Sequence, residues 1–356
     1  MKIGLLGLPN SGKTTIFNAL TKSEADVNTY ASNRTEPNVA MVEVGDERIT
    51  RLSNMYKPKK TTYATIEMAD FVGFTAESST KEDFSTNQIS FIKNMDALAL
   101  VVRNFTDDFM KNPTPLADIE EIDSELILSD MIGVENRLER IEWNVKRGKG
   151  TNKLQFEEKL LRKIYQELNN SRHVSDLPFN IDQEKLISGF QFLTKKPFFI
   201  ILNSDEETFG HDNDLIAKIK KKYNIIEFAG KFEMELSQLS DEEDATMFME
   251  DMGIKESARD RLTSFAYEML GYISFITVGT DEVRAWTIHD GSTALEAAQT
   301  IHSDLARGFI RAECFSYKQL IDCGSEKGVR EKGYFRLEGK DYIINDGDIL
   351  SIRFNV

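Results

Sequence analysis

Apolar residues in this chain follow two periods. Residues 97–105 (ALALVVRNF) and 197–203 (PFFIILN) are apolar on both faces, as strands inside a parallel sheet are, and residues 2–6 (KIGLL) form a shorter run. Residues 40–44 (AMVEV) alternate, residues 65–70 (TIEMAD) read as another strand, and residues 225–236 (IIEFAGKFEMEL) open with a last one before a loop around Ala229, Gly230 and Lys231. Between 105 and 197 the period becomes helical. Met131, Val134, Leu138, Ile141 and Val145 recur at spacings of three and four, and Leu154, Leu161, Tyr165 and Leu168 continue the pattern after the break Lys146-Arg147-Gly148-Lys149-Gly150. This predicts an antiparallel helical hairpin with a basic glycine tip.

Residues 240–252 and 257–270 read as two further helices, with Met247, Met249 and Met252, near Phe248, as core filler. From 275 the elements shorten. Two strands (FITV, EVRAWTI), a turn at Asp290-Gly291, a helix capped by Ser292, a third strand (GFIRAECFSY) and a closing hairpin around Asp346-Gly347 predict a small α+β module. The expected architecture is α/β: a doubly wound sheet from residues 1–122 and 196–274, a helical hairpin insertion at 123–195, and the α+β domain at 275–356.

The chemistry sits where the first strand ends. Residues 7–14, GLPNSGKT, have the spacing G-x-x-x-x-G-K-T of a phosphate-binding loop. Gly7 and Gly12 permit backbone angles that turn loop N–H groups inward, with Asn10, Ser11 and Thr15 beside them. Lys13 is placed for the β- and γ-phosphates and Thr14 for Mg²⁺, at the positive end of the following helix. Asp70 ends the TIEMAD strand and begins D-x-x-G with Gly73; these predict a carboxylate for the metal's water and an amide near the γ-phosphate. Phe74 occupies the place where a related GTPase orients water with Gln, and phenylalanine cannot do so. After the PFFIILN strand, Asn203-Ser204-Asp205-Glu206 stands where a GTPase carries N-K-x-D. The longer Glu206 and the loss of the Lys at Ser204 degrade a guanine reader and favour adenine, with Ala229 and Gly230 flanking the base.

A net charge of −15 over 356 residues excludes a bulk nucleic-acid binder, so any phosphate-rich partner must meet a local patch such as the hairpin tip. The alternative for that tip is a solvated turn. The two cysteines, Cys314 and Cys323, form no CxxC pair and read as reduced thiols rather than a disulfide or zinc site. The apolar start is short and broken by Pro9, and no apolar run approaches the length of a membrane span, so a cytoplasmic protein with no membrane partner is expected.

With these residues in view, the chain resembles the YchF family of Obg-like ATPases nearly end to end. The resemblance rests on GLPNSGKT, TEPN at 35–38, D-x-x-G at Asp70, VVRNF, N-x-x-E from Asn203 to Glu206, EVRAWTI and the tail GKDYIINDGDILSIRFNV. It implies ATP preference, Mg²⁺, a coiled-coil insertion, a TGS-like C-terminal domain and ribosome binding through that domain and the hairpin. The Asn at position 10 implies help from a monovalent cation such as K⁺. The chain departs from the family pattern at Arg34, where the family has Thr, in residues 74–90, which hold no glycine, and in residues 106–112, which hold no histidine. Intact nucleotide binding with slow turnover is therefore expected. Two alternatives stand beside this slow ATPase: a nucleotide-gated binding module with little hydrolysis, and a GTPase.

Overall fold

The computed structural model describes residues 1–21, 37–71, 86–239 and 242–355. They form two compact units, 1–41 with 67–258 and 42–66 with 259–356. In chain order the strands are β1 (Lys2–Leu6), β2 (Asn38–Glu43), β3 (Lys60–Thr62), β4 (Thr65–Asp70), β5 (Ala97–Asn104), β6 (Phe198–Ser204), β7 (Asn224–Phe228), β8 (Tyr272–Thr277), β9 (Glu282–His289), β10 (Phe309–Ser316), β11 (Arg336–Glu338) and β12 (Asp348–Phe354).

The first unit is built on a sheet of order β2-β4-β1-β5-β6-β7, with β1 parallel to β4 and β5, β5 to β6, and β6 to β7. This is the α/β doubly wound fold that the apolar runs predict. Leu98, Leu100, Val102, Ile200 and Leu202 are buried against Ile119, Ile122 and Leu126 of the helix Pro115–Lys146, each burial contributing about 1.5–3 kcal/mol. Strands leave β1 to either side, so the loop after β1 lies at the switch point where such sheets open a crevice.

The inserted hairpin pairs Pro115–Lys146 with Asn152–Asn169 around Val134, Ile141, Leu161, Ile164 and Leu168. Val145, expected on this face, is exposed one residue before its helix ends at Lys146. Met247 is likewise exposed rather than core.

The second unit is a mixed sheet, β11-β10-β12-β8-β9-β3. Its edge strand β3 comes from far upstream and runs parallel to β9, beside the helix Glu47–Tyr56. Residues 42–66 therefore pack with the C-terminal residues, whereas the sequence boundaries grouped them with the N-terminal sheet. The closing hairpin is not formed. Instead β12 pairs antiparallel with β10 and parallel with β8. The Asp346-Gly347 turn docks on β8: the Ser274 amide donates to Asp346 Oδ1 (2.9 Å), the Gly347 amide to Ser274 O (2.8 Å), and Arg48 Nη1 to Asp346 Oδ2 (2.7 Å). The helix N-cap falls on Thr293 rather than Ser292, in a reciprocal box with Glu296. That helix stops at Ile301, and His302 Nδ1 accepts from the Asp304 amide (3.1 Å) to cap the next, Ser303–Arg307. Both cysteines are free thiols. Among the described residues no helix is long and apolar enough to cross a membrane.

Candidate functional site

The loop between β1 and the helix Lys13–Thr21 is held by its own backbone and by one distant side chain. The Ser11 amide donates to Leu8 O (3.3 Å) and the Ile16 amide to Gly12 O (2.9 Å). Gly12 has φ 87°, and a methyl group there would lie 2.1 Å from Asn203 Nδ2, so both backbone angle and space demand glycine. Asn10 is exposed at the loop tip with φ 61°, a left-handed conformation that asparagine tolerates better than most residues.

Lys13 is buried, and its Nζ donates to Gly7 O (3.0 Å) and Leu8 O (2.8 Å). Burial lowers its pKa to about 8, with the Asp70 carboxylate pulling the other way. Thr14 Oγ1 donates to Asp70 Oδ2 (2.9 Å), which brings residues 56 positions apart into one cluster. Burial pushes the Asp70 carboxyl above its usual range, against the opposing effects of the Thr14 hydroxyl and the Lys13 charge. Among the described residues, Asp70 Oδ1 and Ser11 Oγ are buried with no hydrogen-bond partner. Thr15 is half-buried on the first turn of the helix.

Asn203, at the end of β6, has both amide atoms engaged. Its Nδ2 donates to Ser11 O (3.0 Å), and its Oδ1 accepts from the Gly230 amide (3.1 Å). Gly230 has no room for a side chain, since a Cβ there would lie 2.4 Å from Asn203 Oδ1. Ala229 is buried, and its amide donates to Glu233 Oε1 (3.0 Å). Glu206 is exposed on the turn after β6. Beside it, burial works against ionisation of Asp205, but the Thr208 hydroxyl and amide hold that carboxyl below its usual range. Gly73, with Phe74, Arg34 and Thr35, lies outside the described residues.

Ser204, Asn104 and Glu227 are linked at this edge. Ser204 Oγ donates to Glu227 Oε1 (2.6 Å) and accepts from Asn104 Nδ2 (3.1 Å), while Glu227 Oε2 accepts from the Gly210 amide (3.1 Å). Glu227 thus ties the turn carrying Glu206 to β7. Polar residues inside otherwise apolar strands, Asn104 and Glu227, are the only signal that could have drawn attention to them.

Among the described residues no three His, Cys, Asp or Glu side chains gather as a metal cage. Mg²⁺ brought in with phosphates needs only one or two protein oxygens. The Thr14 hydroxyl beside a buried carboxylate with an unpartnered oxygen fits that requirement.

A parallel sheet with a glycine loop at its switch point, and a Lys, Thr and Asp gathered there, defines a P-loop NTPase fold of the GTPase type. Residues 2–137 match the family model described as a 50S ribosome-binding GTPase, and residues 272–355 match YchF-GTPase_C, described as a protein of unknown function. The chain is 38% identical to the ribosome-binding ATPase YchF of Bacillus subtilis, covering 99% of each chain. It is 36% identical to that of Pasteurella multocida, over 100% of this chain and 99% of the relative. It superposes on the Schizosaccharomyces pombe YchF GTPase with a TM-score of 0.82 at 30% identity, over 99% of this chain and 97% of that one. The chain belongs to the YchF family.

Proposed function

We propose that this protein binds ATP with Mg²⁺, hydrolyses it slowly, and associates with the ribosome. The observation that carries the reading is the convergence of Lys13, Thr14 and Asp70, with one Asp70 oxygen buried and without a hydrogen-bond partner among the described residues. In this reading the loop amides of residues 10–15 hold the phosphates. Lys13 exchanges its two loop carbonyls for phosphate oxygens, and Thr14 and Asp70 would hold the metal. When bound, Mg²⁺ neutralises charge on the phosphate oxygens. The D-x-x-G spacing assigns Gly73 to the γ-phosphate, and Asn10, exposed at the loop tip, is where K⁺ would assist.

Base selection falls to Glu206 and to the Ala229-Gly230 turn, because the Asn203 amide is already engaged by the protein's own backbone. The relatives' printed names include both ATPase and GTPase, so calorimetry with the two nucleotides side by side is the direct test. ATP is expected to bind at least about tenfold more tightly, and Glu206→Asp to narrow that gap, the order expected for one altered hydrogen-bonding contact. Tighter GTP binding by the unaltered chain would overturn the assignment to ATP.

Ribosome association rests on the names of the relatives and on the hairpin tip. There the Arg147 guanidinium lies 3.7 Å from the Trp143 ring centroid, beside Lys146 and Lys149 on the next turn. In co-sedimentation, Arg147→Glu with Lys149→Glu is expected to weaken ribosome binding about tenfold or more and to flatten its salt dependence. Unchanged sedimentation would move the contact away from the tip, leaving the C-terminal domain as the proposed one.

A further inference from the structure

The helical insertion carries a cavity of about 660 Å³ that includes none of the phosphate-loop residues. It lies along the helix Pro115–Lys146, the first two turns of Asn152–Asn169 and the segment around Phe190, and Lys93 reaches it from the helix Thr86–Lys93. Four cations and two carboxylates line it, and the carboxylates are already committed. Asp130 accepts from the Leu193 amide, the Thr194 amide and the Thr194 hydroxyl at 2.9, 2.8 and 2.7 Å. Glu157 takes a bidentate bond from Arg137 at 2.6 and 2.9 Å. Arg140 and Lys153 form no ion pair among the described residues, Lys93 meets the Asp130 carboxylate only through charge at longer range, and all three border one space in a chain whose net charge is −15. Lys153 also stands on the first turn of an eighteen-residue helix, whose positive end adds to their field.

The rest of the wall is of another kind. Phe190 is half-exposed and stacks on buried Phe192, with ring centroids 5.1 Å apart and planes within 8°, next to Leu154 and Leu186. Gly133 borders the cavity from the middle of a thirty-two-residue helix, and a Cβ built there would meet nothing within 4 Å. A glycine inside a helix costs about 1 kcal/mol relative to alanine. No close approach of backbone requires it here; what it leaves is open volume. Cavities of roughly 300–1,000 Å³ hold small ligands, and this one pairs concentrated positive charge with an aromatic face.

We propose that this cavity is a second ligand site, which takes a phosphorylated small molecule with an aromatic ring, a mononucleotide by size and chemistry. Its phosphate meets Lys93, Arg140 and Lys153, and its base lies against Phe190. The bound ligand joins the helix Thr86–Lys93 to the hairpin.

The test uses the full chain with the loop site saturated by ADP and Mg²⁺, titrated calorimetrically with AMP, GMP and inorganic pyrophosphate. One further equivalent of AMP or GMP is expected to bind, and pyrophosphate more weakly. Gly133→Phe fills the space from a backbone position without positive φ and is expected to abolish the second equivalent while ADP still binds. Retained ADP binding separates this result from a failure at the phosphate loop. Arg140→Ala with Lys153→Ala, a surface pair that leaves the hairpin core intact, is expected to weaken AMP by about tenfold or more, the order of one or two charge-assisted contacts. Phe190→Ala should weaken AMP and leave pyrophosphate unchanged. The proposal is overturned if none of the three probes binds at millimolar concentration, if AMP binding survives Gly133→Phe, or if pyrophosphate binds as tightly as AMP. It is equally overturned if only an RNA oligonucleotide binds and does so undiminished in Gly133→Phe, which would make the basic residues an open RNA surface.

Discussion

Lys13→Ala is expected to lower ATP turnover by about two to three orders of magnitude, the scale of losing one preorganised charge at a developing oxyanion. In the free loop the ammonium is buried and bonded to Gly7 O and Leu8 O, so its position is set before any phosphate arrives. Lys13→Arg should rescue little, because two carbonyls about 3 Å from one nitrogen suit a compact charge better than a planar fork. The same burial gives a pH signature. With a pKa of about 8 in the free protein, Lys13 loses its proton as pH rises through that value. Phosphate favours the charged form and raises the pKa in the complex, so binding takes up a proton above pH 8. ATP affinity should therefore fall with rising pH, by up to about tenfold per unit. Lys13→Ala should lack this limb. Equal turnover by the variant and the unaltered chain, under matched Mg²⁺, would remove Lys13 from the mechanism and leave the loop without a hydrolytic role.

Asn203→Ala carries the second large effect, and it should appear first in stability. The side chain is buried and bridges Ser11 O and the Gly230 amide, so its removal leaves two buried backbone groups without partners. At about 1–3 kcal/mol for each unsatisfied group, a loss of roughly 2–6 kcal/mol is expected in urea unfolding. Nucleotide affinity should fall with it, since the loop loses its tether to the β7 turn. Asn203→Asp discriminates between lost packing and lost bonding. It keeps the volume but sets a carboxylate oxygen against Ser11 O, and should be at least as damaging as alanine. An Asn203→Asp protein with unaltered stability and ATP affinity would refute the tether.

Much of the phosphate loop could be recognised from residues 2–20 alone, because a strand, a glycine loop and a helix are local objects and their spacing is written contiguously. Asp70 could be found because it stands at the end of a strand with a clear pattern. Asn203 was recognisable as a site residue, but its function was not. Its two partners lie 192 and 27 residues away, and only folding shows that its amide is consumed by backbone. The roles of Glu227 and Asn104 are hidden in the sequence for a related reason: a single polar residue in an apolar strand has no meaning until its neighbour across the sheet is known. The same limit explains the misplaced cap. Ser292 and Thr293 are both good N-caps, and the Ala294 amide donating to Tyr342 O (2.8 Å) ties the following residue to a distant segment, in the structure that has Thr293 as cap.

By itself, the sequence determined the parallel core, the helical hairpin and the phosphate loop, since each follows from periodicity or spacing within a few tens of residues. Tertiary structure decided what depends on pairing across long separations. It placed Lys60–Thr62 at the edge of the C-terminal sheet, where β3 lies beside β9, and set Arg48 against Asp346, 298 positions away. It also replaced the expected closing hairpin with β12 between β8 and β10. Edge strands and charged turns accept several partners with similar local energy, and the choice among them is made by the packing of the whole unit.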